Sequence, residues 1–454
     1  MLVLYILMSQ KLQKQNLLVI CYSNPWHLAL SIEFLNYETS LGKAYDIIDA
    51  SFVGNNFIVV KLKKLLGKYQ FYHDSLRYIY LSKFKIINLN KVTIKDFRFK
   101  RDSYLDHNPL HMSPAYNSIV ENYGSMDLKK MNRSLRGLRI KNREIKKCEK
   151  LYKKLSKLGN LHYETVVTVN GRFSKNSTVL LWAKKNNLIT RCLEFGAQSK
   201  NSFEIFDISP HSMTELQDKI ERYWLDSSDP LKSQKAASYL HNLVTRKSTS
   251  SVDFRGKIAE GKIPTFRSKK ICVFYASTEF EYAGVGDRIE TGLFATQVDA
   301  FQGLVEILNP GEWDIFLRRH PKPKGLRNRD GEKFLWDKYY AVQNVKIIEP
   351  DSDIDSLALG TNSHLIASFW STINMEFYAR GFSNVVNLGP TSWSRLVPSR
   401  YLPNKNAISK YISCEPPLIS IDDVLPWAYF HSEFGNEFSL INVDPERGNW
   451  SFKN

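Results

Sequence analysis

Two basic residues and a proline follow a short apolar segment in the second half of the chain, in the run Leu317-Arg-Arg-His-Pro321. The guanidinium of Arg319 is suited to donate two parallel hydrogen bonds to phosphate oxygens. The imidazole of His320 can donate to the same phosphate or protonate a departing oxygen, although a lone histidine is often structural. These residue types predict phosphate binding by Arg319, with His320 as a candidate catalytic acid.

A second group of polar residues follows a later apolar segment, in the run Ala367-Ser-Phe-Trp-Ser-Thr372. The spacing predicts that Ser371 or Thr372 begins a helix, whose free N–H groups and dipole favour an anion. Glu376 lies about one helical turn further along. The alternative is that the hydroxyls only cap the helix and that Glu376 is a solvated carboxylate.

Hydroxyl and acidic residues also follow two other predicted strands. Ser277 and Thr278 come after an apolar run over 270–275, and the nearby glycines do not form a dinucleotide-binding fingerprint. Ser277 and Thr278 are therefore further candidates for binding phosphate. Asp351, Asp353 and Asp355 lack a matching histidine cluster, so we expect them to start a helix and not to bind metal.

These groups sit where strands and helices alternate, which predicts an α/β fold of two Rossmann-like domains. At 454 residues the chain is too long for one ordinary core. Periodicity fails over 246–269, so the sequence predicts a first domain over 1–245, a linker, and a second domain over 270–454. The first domain opens with a strand, a polar loop and a helix from residue 16 onward. Short apolar runs predict strands over 16–21, 57–62, 83–89, 164–169, 189–195, 270–275, 313–318, 345–348, 364–368 and 384–388.

The formal net charge of +17 favours anionic partners. Thirteen Lys and Arg against three Asp and Glu lie in 126–158, a predicted amphipathic helical insertion. That segment is either a solvated face or a surface for anionic lipid. Five scattered cysteines and no segment of membrane-spanning length predict a reduced, cytoplasmic chain, peripheral to the membrane if the basic face binds lipid. The start could be Met1 or Met8.

Together these motifs resemble the capsule polysaccharide biosynthesis family of bacterial glycosyltransferases, over about residues 271–390. The runs that carry the likeness are Tyr275–Asp287, Leu317–Pro321 and Ala367–Thr372 with Glu376, although Phe377 departs from the usual Ala. The resemblance implies a GT-B architecture: two facing Rossmann-like domains, acceptor on the first and nucleotide-sugar on the second, without metal or other cofactor. It also implies that His320, Ser371 and Thr372 engage the donor phosphate.

The expected reaction is attack of an acceptor hydroxyl on a nucleotide-activated sugar, with growing surface polysaccharide or lipid-linked glycan as acceptor. Glu194, at the end of a first-domain strand, is the predicted general base, with Glu281 as the alternative. A CMP-linked acidic sugar is one candidate donor; inversion or retention stays open. Two other functions stay open: a catalytically inactive partner subunit of a polysaccharide assembly complex, and a nucleic-acid-binding protein. The basic helix lacks the interleaved aromatic residues of the latter.

Overall fold

The structure is a computed structural model, and its description covers part of the chain. The described residues are 15–53, 70–82, 85–88, 114–123, 128–158, 163–196, 202–207, 210, 212–245, 261–266, 269–278, 293–320, 333–414, 418–444 and 449–453. Several predicted features lie outside them: both candidate starts, a predicted strand over 57–62, most of the linker, Glu281 with the rest of its loop, and Pro321.

Strands and helices alternate along most of the described chain. The strands are β1 Gln15–Ile20, β2 Tyr45–Asp49, β3 Lys85–Asn88, β4 Tyr163–Val169, β5 Ile189–Phe195, β6 Ser202–Phe206, β7 Lys270–Tyr275, β8 Trp313–Arg318, β9 Val345–Ile348, β10 Leu365–Ser368, β11 Val385–Asn387, β12 Asn436–Glu437, β13 Ile441–Asp444 and β14 Asn449–Phe452. The helices are α1 Pro25–Ser40, α2 Gln70–Leu81, α3 Tyr116–Tyr123, α4 Leu128–Asn132, α5 Leu135–Ser156, α6 Ser174–Lys185, α7 Met213–Asp226, α8 Lys232–Val244, α9 Gln297–Ile307, α10 Lys333–Trp336, α11 Ser356–Thr361, α12 Ile373–Tyr378, α13 Lys405–Ser413 and α14 Leu425–Glu433.

The first sheet has seven strands in the order β12-β6-β5-β4-β1-β2-β3. Strands β1 to β5 pair in parallel, and β6 and β12 add an antiparallel edge. Both faces carry apolar side chains: α1 packs on one face, while α5 and α6 pack on the other. A parallel sheet covered on both faces is the Rossmann-like arrangement that alternating strands and helices predict.

The second sheet has five strands, all parallel, in the order β11-β10-β7-β8-β9. Helix α9 covers one face through Phe301 and Leu304. The other face packs against α8, α11, α12 and α14. The prediction of an α/β chain with two Rossmann-like, mainly parallel sheets is therefore confirmed.

The structure has two compact units. The second unit differs from the predicted second domain both in where it begins and in where it ends. Unit 1 comprises Met1–Tyr123, Asn132–Pro210 and Gly435–Asn454, and unit 2 comprises Gly124–Met131 and His211–Phe434. Helices α7 and α8 belong to unit 2 because they pack against α14. The last segment belongs to unit 1 because β12 pairs with β6 and Phe438 is buried there.

Most of the basic segment, from Asn132 onward, is an integral part of unit 1 and not an insertion. Helix α5 buries Leu151 and Leu155 against strands β1 and β4, on the same face of the sheet as α6. It is therefore one of the helices that cover this face of the sheet, and it precedes β4 in the chain. Its exposed side carries basic residues, as the amphipathic pattern predicts.

Candidate functional site

The second sheet has a topological switch point between β7 and β10. From β7 the strand order runs through β8 and β9 to one edge, and then through β10 and β11 to the other. Ligands of open α/β sheets bind beyond the carboxyl ends of the strands at such a point. The segments that follow β7 and β10 carry Ser277 and Thr278, and Ser371 and Thr372, respectively. The sheet therefore brings these four predicted residues to one edge.

Ser277 is held by its main chain and keeps its hydroxyl unpaired. The amide oxygen Oε1 of Gln297 accepts a hydrogen bond from Ser277 N (3.0 Å), and Nε2 of Gln297 donates to Ser277 O (3.0 Å). Both residues are buried, and so is Thr278. The buried Ser277 Oγ has no hydrogen-bond partner within the described structure. A phosphate oxygen could satisfy this donor, whose isolation otherwise costs about 1–3 kcal/mol.

Thr372 is the residue that begins the following helix, but its hydroxyl does not cap that helix. Thr372 occupies the N-cap of α12, but its side chain makes no capping hydrogen bond. Ser371 donates its main-chain N–H to Ser368 Oγ (3.3 Å). Helix α12 has only six residues, so its dipole is small. The prediction that Ser371 or Thr372 begins this helix is confirmed, while the alternative that the hydroxyl of the exposed Thr372 caps it is wrong.

Arg319 and His320 follow β8, the other neighbour of β7. Arg319 is buried, and its Nη1 donates to Oε2 of Glu349 at 2.5 Å. Tyr340 donates to the same carboxylate. The guanidinium predicted to bind phosphate thus has a protein carboxylate as its partner in this structure. His320 is half-buried at the end of the described segment.

Arg318 makes more contacts than Arg319 with the segment that follows β9. Its guanidinium donates to Glu349 O (2.6 Å), Ser352 O (3.4 Å) and Ser356 Oγ (3.1 Å). These acceptors lie within residues 349–356, so one buried guanidinium holds the segment that joins β9 to α11. The sequence offered no signal to separate the structural arginine of the pair from the other.

Glu376 and Phe377 lie on α12 with different surroundings. Glu376 is half-buried, and its charge adds to the effect of burial in raising the pKa of Tyr275. Phe377 is fully buried against Gly360, where an added Cβ would overlap its ring. The bulky residue at the position where the resembled family has Ala is therefore matched by a glycine across the core.

The acidic run near residue 350 is used for structure. Asp355 caps α11 by accepting hydrogen bonds from Leu357 N (2.9 Å) and Ala358 N (3.3 Å). Asp353 forms an ion pair with Lys262. Among the described residues, no three His, Cys, Asp or Glu side chains come together as potential metal ligands. None of the described helices is long and apolar enough to cross a membrane.

The predicted base Glu194 lies in unit 1, where β5 ends. Its Oε2 accepts a hydrogen bond from Asn170 Nδ2 (2.5 Å) and its Oε1 accepts one from Phe195 N (3.1 Å). Burial raises the pKa of the Glu194 carboxyl, while these hydrogen bonds and Arg172 oppose that shift. A carboxyl whose pKa is raised toward neutrality is suited to exchange protons with a substrate hydroxyl.

A buried lysine at the same edge of the first sheet was not predicted. Lys175, in the first turn of α6, donates to Cys21 O (3.2 Å), Ala50 O (3.2 Å) and Ser51 O (2.6 Å). Burial lowers its pKa to about 7. The ammonium joins the segments after β1 and β2, and only the folded chain reveals this, because the three acceptors are backbone atoms.

Comparison with known proteins gives fold-level matches. No protein family and no curated protein matches the chain. Similar solved structures include UDP-GlcNAc 2-epimerase from Methanocaldococcus jannaschii in complex with UDP-GlcNAc and UDP (13% identity, 90% of this chain, 95% of that chain, TM-score 0.30). The S. aureus MnaA–UDP co-structure (11%, 92% and 92%, 0.27) and a glycosyltransferase from Rickettsia africae (12%, 88% and 87%, 0.23) are others.

Proposed function

We propose that the chain is a glycosyltransferase that binds the phosphate of a nucleotide-activated sugar at the β7/β10 switch point of unit 2. The observation that carries the proposal is the convergence there of the segments with Ser277, Thr278, Ser371 and Thr372, where the buried Ser277 Oγ has no partner in the described part of the chain. Hydroxyl donors at the carboxyl edge of a parallel sheet are suited to an anion. The resemblance to capsule polysaccharide glycosyltransferases adds the reaction type.

The proposed residues bind the donor phosphate, assist its departure or activate the acceptor. The hydroxyls of Ser277, Ser371 and Thr372 donate to the donor phosphate, and His320 protonates or hydrogen-bonds the departing phosphate. Arg319 joins in only if its pairing with Glu349 opens or a phosphate oxygen shares its remaining N–H groups. Glu376 borders the same segment as a binding residue. In unit 1, Glu194 removes the proton of the acceptor hydroxyl.

We also propose which classes of acceptor and donor the chain uses. The acceptor is a surface polysaccharide or a lipid-linked glycan, and an acidic sugar carried by CMP is the first donor to test. No metal takes part, so transfer survives excess EDTA. Activity that collapses with EDTA and returns with Mg²⁺ or Mn²⁺ would contradict this assignment.

Calorimetry with CMP, CDP, UDP, GDP and ADP tests the site directly. We expect one nucleotide to bind, and expect Ser277→Ala combined with Ser371→Ala and Thr372→Ala to weaken its binding at least tenfold, because three donors are lost. Ser413→Ala, an exposed hydroxyl of α13, is the matched control and leaves the affinity unchanged. Unchanged affinity in the triple variant would contradict the proposed site.

Product analysis then identifies the reaction. Transfer releases the free nucleotide and requires an acceptor, whereas isomerisation of the donor sugar leaves the nucleotide attached. His320→Ala should lower the rate of nucleotide release at saturating donor at least a hundredfold with an unchanged melting temperature. Turnover close to that of the wild type would exclude His320 as a catalytic residue. Binding of a nucleotide without turnover of any donor would support the inactive-subunit alternative.

A further inference from the structure

The first sheet has a switch point of its own, between β1 and β4, and aromatic rings gather beside it. Trp26 follows β1, Phe173 follows β4, Phe195 ends β5, and Trp450 comes from β14. The ring centroid of Trp26 lies 6.3 Å from that of Phe173 and 5.9 Å from that of Phe195, and Phe195 lies 5.8 Å from Trp450. These four rings form what we call the aromatic shelf.

The shelf differs from the core of the same unit in its exposure. Each of its four rings is only half-buried, whereas Phe34 and Phe203 of the neighbouring core are almost completely buried. Apolar ring surface left in water is unfavourable by about 25 cal/mol per Å². Four adjoining rings that keep part of their surface exposed, at the ligand-binding edge of a sheet, indicate a surface that a ligand covers.

Polar groups also stand at the ends of β4 and β5, the strands that precede Phe173 and carry Phe195. Glu194 precedes Phe195 and accepts a hydrogen bond from Asn170, which stands directly after β4. Asn170 (φ 65°) and Gly171 (φ 76°) are consecutive residues in the left-handed region. That conformation costs about 1 kcal/mol or more for a residue with a side chain, and such residues cluster at ligand sites. The guanidinium of Arg172 lies 5.1 Å from the ring centroid of Phe173.

Two buried polar atoms beside the shelf have no partner within the described structure. They are Nδ1 of His27, whose ring centroid lies 3.8 Å from that of Trp26, and Oδ1 of Asn24. His27 stays neutral at physiological pH, since burial, with the charge of Lys175, lowers its pKa to about 3. Each orphan atom costs about 1–3 kcal/mol and can be satisfied by a hydroxyl of a ligand.

We propose that the aromatic shelf and the Glu194–Asn170 pair form a binding site for an uncharged sugar ring. A pyranose presents C–H groups on one face, which pack on aromatic rings, and hydroxyls at its rim, which reach the carboxylate and the orphan atoms. A nucleotide fits this place less well, because its phosphate would meet the Glu194 carboxylate. Of the two cations here, Lys175 is occupied by three carbonyls, and Arg172 lies over the Phe173 ring, where its charge already acts on Glu194. The bound sugar is the acceptor only if the proposed transfer function holds; its binding does not depend on that function.

Ligand-observed NMR on the full chain without nucleotide tests the site. The probes are the methyl glycosides of glucose, galactose and N-acetylglucosamine, and methyl β-maltoside. We expect saturation transfer to the axial C–H protons of at least one of them. Trp26→Ala should weaken its binding at least tenfold and Phe195→Leu at least threefold, whereas Trp26→Phe should retain most of it. Tyr80→Ala is the matched control, because Tyr80 is 74% exposed on α2 and lies outside the shelf.

The outcomes are distinct from those of the nucleotide test. Absence of saturation transfer for all four glycosides, or equal affinity in the wild type and Trp26→Ala with native circular dichroism, overturns the sugar site. Loss of nucleotide binding in Trp26→Ala would mean that the shelf holds the nucleobase, and also overturns it. Sugar binding that persists when no nucleotide binds would contradict the proposed transfer function and leave the sugar site standing.

Discussion

At the residue scale, the two candidate sites obtain their reactive groups in different ways. In unit 2 the Gln297 side chain holds the main chain of Ser277, and the buried Ser277 hydroxyl has no partner among the described residues. In unit 1 the Glu194 carboxyl is paired, and burial raises its pKa. One site thus offers hydrogen-bond donors for an anion, and the other offers a proton acceptor.

Glu194→Gln should abolish most transfer and change how it depends on pH. A general base must be ionised, so the wild-type rate should rise as the pH passes the Glu194 pKa, above the ordinary value of 4.5. We expect the variant to lose this acid limb and at least a hundredfold in rate. Steady-state rates from pH 4.5 to 9 measure both. An unchanged limb would assign it to another group.

The same substitution has a stability consequence of known sign. A raised folded-state pKa stabilises the fold below the unfolded pKa, and this contribution is lost as the pH rises through the folded value. The wild type should therefore lose stability relative to Glu194→Gln as the pH rises from about 4, since glutamine does not titrate. Chemical denaturation at several pH values tests this; a difference that grows in the opposite direction would contradict the buried-carboxyl interpretation.

At the element scale, helix α5 separates a packing face from a basic one. Gly137, Ile140, Glu144, Cys148, Leu151 and Leu155 are buried at helical spacing. Arg136, Arg139, Lys146 and Lys150 are exposed at the same spacing and form the basic stripe. Lys154 is buried, and Lys147 and Arg143 pair with Glu144 at 2.9 and 3.1 Å, so none of the three belongs to it. Tertiary packing thus selects which of the many basic residues are available.

If the basic stripe docks on anionic lipid, Arg139→Glu with Lys146→Glu should release the protein from anionic vesicles. Each basic residue near such a surface contributes on the order of 1 kcal/mol, so two reversals should lower vesicle affinity more than tenfold. Sedimentation with phosphatidylglycerol-containing vesicles at low salt measures it. Lys184→Glu with Lys410→Glu carries the same charge change on exposed sites elsewhere and should have a smaller effect. Equal effects would mean that only net charge matters.

Lys175→Met should destabilise unit 1 although a methionine fills similar volume. The substitution leaves the carbonyls of Cys21, Ala50 and Ser51 without their buried donor, and we expect the free energy of unfolding to fall by about 1–3 kcal/mol. Lys184→Met, exposed on the same helix, is the control and should change it by less than about 0.5 kcal/mol. Urea denaturation measures both; a variant as stable as the wild type would show that water satisfies these carbonyls.

At the scale of the whole molecule, the end of the chain completes the unit in which the chain begins. The buried carboxylate of Glu33 on α1 accepts hydrogen bonds from the N–H groups of Ser439 (2.9 Å), Leu440 (2.7 Å) and Ile441 (2.5 Å). These partners are more than 400 positions apart in the sequence. The first unit is therefore completed by a segment that follows the second unit along the chain.

Glu33→Ala should therefore loosen unit 1 specifically. Hydrogen bonds to a charged group contribute about 1.5–3 kcal/mol, so we expect a loss of that order in the free energy of unfolding. Hydrogen exchange should quicken in β1, β4 and β5 and stay unchanged in β7 and β8. Glu437→Ala, exposed in the same terminal segment, is the control. Protection lost equally in both sheets would contradict a role confined to unit 1.

The sequence by itself determined the α/β class, the strands β1, β3 to β5 and β7 to β11, and the placement of most candidate residues at strand ends. Alternating apolar runs and helical periods are local signals, so they can be read without the fold. It also predicted that Asp355 begins a helix, which the structure confirms.

Only the tertiary structure decided which residues share an edge and which are already occupied. The order of strands places β7 beside β10, so that the segments carrying Ser277 and Ser371 leave the same edge of the sheet, and no local pattern encodes that order. Packing paired Arg319 with Glu349, buried Lys154, and returned the last segment to the first sheet. Lys175 remained unseen because its partners are backbone carbonyls of distant segments, which carry no mark in the sequence. Interactions between residues far apart in the chain are set by burial and geometry, and these exist only once the sheets have formed.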